Sequence, residues 1–109
     1  MTKRHDFTIR GDGDTRAPAL AVIKDKGYEI EYIIETDTGY KRDCTYCYNA
    51  TKDGWLISAT TAEELLGLIV MWETRGINWK ATAEEAERYR GIWGSGPVYG
   101  PDGSVIEDA

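Results

Sequence analysis

Cys44 and Cys47 are the only two cysteines of the chain, and their spacing is that of a Cys-x-x-Cys motif. A structural zinc site needs four ligands, but this chain has no second cysteine pair and only one histidine, His5. A redox motif of this kind belongs at a helix N-terminus, whereas the pattern around these cysteines is that of a strand. We therefore expect two reduced, structural cysteines. Zinc shared across a dimer and redox chemistry are the alternatives.

Other chemistry-bearing residues do not form a catalytic pattern. A catalytic triad would need His5 beside a serine, and no nucleophile-elbow sequence surrounds any serine of the chain. The acidic pairs Glu63-Glu64 and Glu84-Glu85 fall in the first turns of predicted helices, where they complement the helix dipole. The sequence therefore predicts a protein that is not an enzyme and that carries no metal and no cofactor.

Glu73 is the one acidic residue in an unusual position. On a helical wheel it falls inside an apolar arc, next to Ile69 and Trp72. A buried carboxylate needs a partner, or its pKa rises. Glu73 is thus our candidate buried carboxylate. Two alternatives stay open: it reaches solvent from the last turn of its helix, or it hydrogen-bonds to a tyrosine or an arginine.

Alternating apolar and polar residues predict the strands that position these groups. The apolar run at 19–24 predicts a first strand, and residues 28–36 and 40–50 alternate as half-buried antiparallel strands. A three-residue loop at 37–39 would place Thr36 opposite Tyr40 and Glu35 opposite Lys41.

A second hairpin follows directly. Asp53-Gly54 predicts a two-residue loop, which sets Ala50 opposite Ile57 in the next strand.

Two capping boxes predict helices. The first begins at Thr61 and leads a helix to about Arg75, where Gly76 ends it. Its apolar arc is wider than one sheet face requires, so the C-terminal segment, a second copy or a partner must also cover it. The second box begins at Thr82 and opens a short helix that ends at Gly91. Residues 98–106 then predict a small terminal hairpin.

Together these elements predict an α+β fold. We expect an antiparallel β-meander of three to four strands, one main helix packed on one face, a short second helix and a C-terminal extension. Residues 1–17 are polar and predict a flexible N-terminal arm, and residues 18–109 predict a single domain.

Composition limits the class of partner. The formal net charge is −6, so direct nucleic-acid binding is not expected, because phosphate binding needs a basic surface. No apolar run is long enough for a signal peptide or a membrane span. The expectation is a cytoplasmic protein that does not enter the membrane.

Seven tyrosines and four tryptophans are the main functional signal, because interfaces are enriched in these residues. We expect a module that binds another protein, of the host or a second copy, stoichiometrically. Small acidic inhibitors encoded by phages and mobile elements, such as anti-CRISPR counter-defence proteins, share this size, charge and lack of motifs. The candidate partner-binding residues are the aromatic and apolar side chains outside the predicted core, with the acidic side chains of one strand: Trp79, Trp93, Met71, Leu68, Tyr89, Tyr99, Glu29, Glu31 and Glu35.

Two alternative functions remain. The first is a small enzyme or ligand-binding domain, with Glu73, Tyr46 and Tyr48 around a pocket between the main helix and the sheet. The second is a self-associating structural subunit, such as a homodimer.

Overall fold

A computed structural model describes residues 5–106, which form two compact units that divide between Ile77 and Asn78. The N-terminal unit contains two helices and three strands: α1 (Arg16–Asp25), β1 (Glu29–Thr36), β2 (Cys44–Lys52), β3 (Trp55–Ala59) and α2 (Ala62–Arg75). The C-terminal unit contains α3 (Ala83–Gly94), β4 (Val98–Tyr99) and β5 (Val105–Ile106). Single turns of 3₁₀ helix lie at Gly13–Thr15, Lys41–Asp43 and Gly76–Asn78. The fold is α+β, as predicted. Because the chain divides into two compact units, a single domain over residues 18–109 stays a prediction.

The strand predicted at residues 19–24 is wrong, because this segment belongs to α1. Ala19 and Ile23 are four residues apart, lie on one helical face and are both buried. Pro18 falls in the first turn, where a missing N–H breaks no helical hydrogen bond. The 3₁₀ turn and the start of α1 lie inside the segment predicted as an arm. There the Thr15 hydroxyl donates a hydrogen bond to the Glu63 carboxylate.

The three strands form one antiparallel sheet in the order β1-β2-β3. The predicted register between β1 and β2 is wrong: Thr36 lies opposite Cys44 rather than Tyr40, and Glu35 lies opposite Thr45 rather than Lys41. Residues 37–43 form a longer connection than the predicted three-residue loop.

Hydrogen bonds within the connection stabilise it. The Gly39 N–H donates to Thr36 Oγ1 over 3.1 Å, and the Thr38 hydroxyl donates to Asp43 over 2.7 Å. Relative to the prediction the register shifts by four residues. Since four is even, the same side chains still share a face.

The hairpin between β2 and β3 is confirmed, with Ala50 opposite Ile57. Asp53 and Gly54 form its two-residue loop with φ of 52° and 88°. Positive φ at both positions is the geometry of a type I′ turn, which Asp-Gly favours.

Both helices of the N-terminal unit pack on one face of the sheet, which we call the inner face. The buried apolar cluster joins side chains of α1, the sheet and α2 with the residue just before β1: Ile23, Tyr28, Ala50, Ala59, Leu65 and Ile69. The prediction of a sheet covered by the helix after Thr61 is confirmed, and α1 packs alongside α2. The wide apolar arc of α2 is explained in this way, because α1 covers the part that the sheet leaves open.

The caps of α2 are close to the prediction. The Glu64 N–H donates to Thr61 Oγ1 over 3.1 Å, and Gly76 ends the helix with a φ of 66°. The reciprocal bond differs, because Glu64 Oε1 accepts the N–H of Thr60 rather than that of Thr61.

The second capping box is complete in α3, where Thr82 and Glu85 bond each other's backbone. The predicted end at Gly91 is wrong, since α3 continues to Gly94. A glycine inside a helix costs about 1 kcal/mol without ending it. The predicted terminal hairpin is confirmed, with Tyr99 opposite Val105.

Candidate functional site

The C-terminal unit exposes most of its large apolar side chains, and none of residues 78–106 is buried. We call this set the C-terminal apolar surface: Trp79, Tyr89, Ile92, Trp93, Val98, Tyr99, Val105 and Ile106. Trp93 is the most open of them, with 79% of its surface exposed. Solitary exposed apolar residues are ordinary, but eight within 29 residues indicate an interaction surface.

Helical spacing aligns part of this surface. Ala86, Tyr89 and Trp93 follow one another at intervals of three and four residues, so they form one stripe along α3. The helix predicted to end at Gly91 would have left Trp93 in a connection, whereas α3 includes it. Trp79 does lie in a connection, 41% exposed, with the Lys80 ammonium 5.7 Å from its ring centroid.

The terminal hairpin is apolar on both of its faces. Val98 lies opposite Ile106, and Tyr99 lies opposite Val105, so each pair points to a different face. All four side chains are exposed. A two-stranded hairpin without a packed face is marginally stable in water, which favours a role in association.

Leu68 and Met71, the other predicted apolar partner residues, lie on α2 and are half-buried. Leu68 packs against the core of the N-terminal unit. These two side chains therefore offer less free surface than Tyr89, Trp93 and Tyr99.

Glu29, Glu31 and Glu35 form an exposed acidic row on β1, on the sheet face opposite the core. We call it the acidic row. Their cross-strand neighbours are uncharged, and none of the three forms an ion pair with the described part of the chain. The row gives the outer face of the sheet a negative charge.

Glu73 lies at the end of α2 and keeps about 33% of its side-chain exposure. Its carboxylate is 2.8 Å from the Lys26 ammonium and accepts a hydrogen bond from the Tyr28 hydroxyl over 3.2 Å. The hydrogen bond from Lys26 is the main reason that the pKa of Glu73 lies below its ordinary value, and the bond from Tyr28 adds to it. Glu73 thus reaches solvent and bonds to a tyrosine, and its ionic partner is a lysine rather than an arginine.

Tyr28 connects this ion pair to the sheet. Burial raises its pKa, and the charge of Glu73 acts in the same direction. The nearby indole N–H of Trp55 acts in the opposite direction, although it has no hydrogen-bond partner within residues 5–106. Lys52 places its ammonium 5.2 Å from the Tyr28 ring centroid and donates to the Lys26 carbonyl over 2.7 Å. These contacts hold α1 and α2 against the sheet, so the role of Glu73, Lys26, Tyr28 and Lys52 is structural.

A second exposed aromatic group lies on the inner face of the sheet, away from Glu73. We call Tyr32, Tyr46 and Tyr48 the tyrosine shelf. The centroid of the Tyr32 ring is 4.8 Å from that of Tyr48 and 6.1 Å from that of Tyr46. Tyr32 and Tyr46 are each 50% exposed, and Tyr48 is half-buried. Among residues 5–106, the three hydroxyls have no hydrogen-bond partner.

A cleft borders the shelf where the helices begin. Its lining combines two tyrosines with residues before and within the first turns of α1 and α2: Gly11, Asp12, Gly13, Arg16, Tyr32, Tyr48, Thr60, Thr61 and Glu63. The hydrogen bond from Thr15 is the main cause of a lowered pKa at Glu63. Tyr48 and Glu63 line the same cleft. Glu73 is ten residues further along α2, about 15 Å away along the helix axis. The predicted pocket therefore does not bring Glu73 together with Tyr46 and Tyr48.

Cys44 and Cys47 are free thiols, both half-buried. They lie three residues apart on β2, so their side chains point to opposite faces of the sheet. In the range 5–106, no three metal-ligating side chains gather into a group that could hold an ion.

Comparisons with protein-family models, with curated proteins and with solved structures find no match. Across residues 5–106, every helix is too short or too polar to cross a bilayer.

Proposed function

We propose that this protein acts by binding another protein stoichiometrically, and that the C-terminal apolar surface makes the contact. The observation that supports the proposal is the absence of any buried residue between positions 78 and 106, in a segment rich in large apolar side chains. Exposure of large apolar side chains to water is unfavourable, and association with a partner removes them from water.

The size of the surface supports this function. Its eight large side chains are about half to four fifths exposed, and together they present on the order of 800 Å². A standard protein–protein interface buries about 800 Å² on each partner. The exposed apolar area is therefore comparable to that of one partner in a standard complex, and the two faces of the terminal hairpin divide it between two sides.

Trp93 is the side chain expected to contribute most. Interface energy concentrates in a few aromatic and arginine side chains, and Trp93 is the most exposed aromatic residue of the unit. The capping box at Thr82 and the ion pair between Glu84 and Arg88 stabilise the helix that carries it. A preformed helix loses less conformational entropy on binding.

The partner that we propose is a different protein with an apolar groove and a basic rim, because the chain carries a net charge of −6. Binding without chemistry is also how a small phage or mobile-element inhibitor would act. That narrower role, the absence of catalysis and a cytoplasmic location stay predictions.

Site-specific photo-crosslinking tests the proposal. A photoreactive amino acid at position 93 is expected to link the chain to one defined protein in cells of its native host. The matched control carries the same group at Glu87, which is exposed and lies about 120° around α3 from Trp93 and about 140° from Ile92. It should give no such product.

The purified pair is then compared by calorimetry. We expect Trp93→Ala to weaken the complex at least tenfold, which is about 1.4 kcal/mol. Leu56→Ala removes an exposed apolar side chain of β3 and should leave the affinity unchanged. Light scattering of the isolated chain measures its molar mass and so tests the alternative that the protein self-associates. Equal affinity of the Trp93→Ala variant and the unaltered chain, or cross-linking only to a second copy, would contradict the proposal.

A further inference from the structure

The tyrosine shelf is a second surface without a partner inside its own unit. We propose that it binds a proline-rich peptide segment that carries a basic side chain. The shelf belongs to the N-terminal unit, so this inference does not depend on binding by the C-terminal apolar surface.

The ring positions match such a ligand in size. Tyr46 and Tyr48 are two residues apart on β2, and Tyr32 lies opposite Tyr48 on β1. Strand geometry spaces side chains on one face by about 6.6 Å. A polyproline II helix repeats every three residues over about 9 Å. Three adjoining rings therefore offer a continuous apolar face to about one turn of such a peptide.

The polar groups also complement one another. A polyproline II segment has no internal hydrogen bonds, so its carbonyl oxygens stay open as acceptors. The three shelf hydroxyls are donors that bond to nothing in the described chain. Aromatic grooves with such donors are one of the recurring modes of peptide recognition, because the ligand is ordered before it binds.

The charged residues of the bordering cleft determine which side chain the peptide should carry next to its proline-rich segment. Asp12 and Glu63 contribute two carboxylates, and Arg16 contributes one cation. The excess of negative charge favours a basic side chain on the peptide and disfavours phosphate-bearing ligands. An extended β-strand would add to the edge of a sheet, whereas the shelf is part of a sheet face. A compact small molecule would need a more enclosed site.

Fluorescence anisotropy with the full chain tests this inference. The probe is a labelled peptide of ten prolines with one arginine at each end. Two control peptides separate shape from charge: one replaces the prolines by alternating glycine and serine, and the other replaces the arginines by glutamates. We expect the probe to bind at least tenfold more tightly than either control.

Three variants locate the site. Tyr32→Ala should weaken binding of the probe about tenfold. Tyr40→Ala is the matched control, because Tyr40 is exposed but lies in the connection between β1 and β2, outside the shelf. Asp12→Asn keeps an oxygen for the cap and removes one charge, so a loss of roughly threefold is expected.

A spectroscopic measurement on the unaltered protein guards against misfolded variants. Amide chemical shifts on titration with the probe should change within residues 30–34 and 46–50. Shifts confined to other residues, equal losses in Tyr32→Ala and Tyr40→Ala, or equal binding of the glycine-serine peptide would each overturn the inference. So would a lack of binding at millimolar probe. A shelf that fails these tests leaves the proposed function of the C-terminal unit untouched, and failed cross-linking at position 93 leaves the shelf untouched.

Discussion

Removal of the C-terminal unit is expected to leave the N-terminal unit folded and equally stable. A chain that stops after Lys80 keeps α2, its glycine cap and the 3₁₀ turn at Gly76–Asn78. It loses α3 and the terminal hairpin, which together carry most of the C-terminal apolar surface.

The expected change in the free energy of unfolding follows from the positions of the buried residues. Every buried residue of the described chain lies between Ala19 and Ile69, so the truncation removes no buried side chain. A surface substitution away from buried groups changes the free energy of unfolding by about 0.5 kcal/mol or less, and we expect the loss of a segment without buried side chains to have an effect of the same order. We therefore expect the truncated and full-length chains to unfold within about 0.5 kcal/mol of each other.

Urea denaturation followed by far-ultraviolet circular dichroism measures the difference. Ile69→Val in the full chain calibrates the assay, because removing one methylene from this fully buried side chain should cost about 1 kcal/mol. The helical signal per molecule should fall on truncation, while the midpoint of the transition stays in place.

A truncated chain that is unfolded, or less stable by more than the Ile69→Val variant, would refute this reasoning. It would mean that residues beyond Lys80 stabilise the core of the N-terminal unit. The C-terminal apolar surface would then be needed for folding, and the proposal that it serves a partner would lose its support.

Two further predictions concern stability. Glu73→Gln should cost about 0.5–1 kcal/mol at neutral pH, discounted for the exposure of the pair with Lys26. Since the pKa of Glu73 is lowered in the folded state, its contribution is present above about pH 4.3, the value of an unperturbed glutamate. It is lost as the pH falls through the lowered pKa, so the variant and the unaltered chain should converge in acid; a constant difference would contradict the assignment. Gly54→Ala should cost roughly 1–2 kcal/mol because φ is 88° in the tight turn, whereas Gly67→Ala, in the open middle of α2, should stabilise by about 0.5–1 kcal/mol. Thermal unfolding of both glycine variants checks the opposite signs.

The meander, the starts of α2 and α3 and the terminal hairpin could be predicted from the sequence because their signals are local. The Asp53-Gly54 turn requires positive φ, and Thr61 and Thr82 each precede a glutamate by three residues. The segment over 19–24 could not be resolved in this way, because a short run of consecutive apolar residues has neither strand nor helix periodicity. Its assignment depends on burial against α2 and the sheet.

The position of the tyrosine shelf also lay beyond local signals. Alternation within residues 28–36 and 40–50 is enough to put Tyr32 on one side of its strand and Tyr46 with Tyr48 on one side of theirs. Which part of the inner face stays open depends on where α1 and α2 begin above it, and this is set by tertiary packing. The four-residue change in register has a different origin, because side-chain hydrogen bonds within the loop at 37–43 stabilise a connection that alternation alone does not specify.

The acidic row on β1 has a consequence for how the protein behaves in concentrated solution. β1 is an outer strand of its sheet, and an outer strand of eight residues is a template on which another chain can add and begin aggregation. A second copy that added its own β1 to this edge would continue the outer face of the sheet and bring Glu29, Glu31 and Glu35 of each copy beside the same carboxylates of the other. Mutual repulsion along that strand would keep separate molecules from joining into fibres, and the aromatic surfaces elsewhere could stay open without making the chain precipitate.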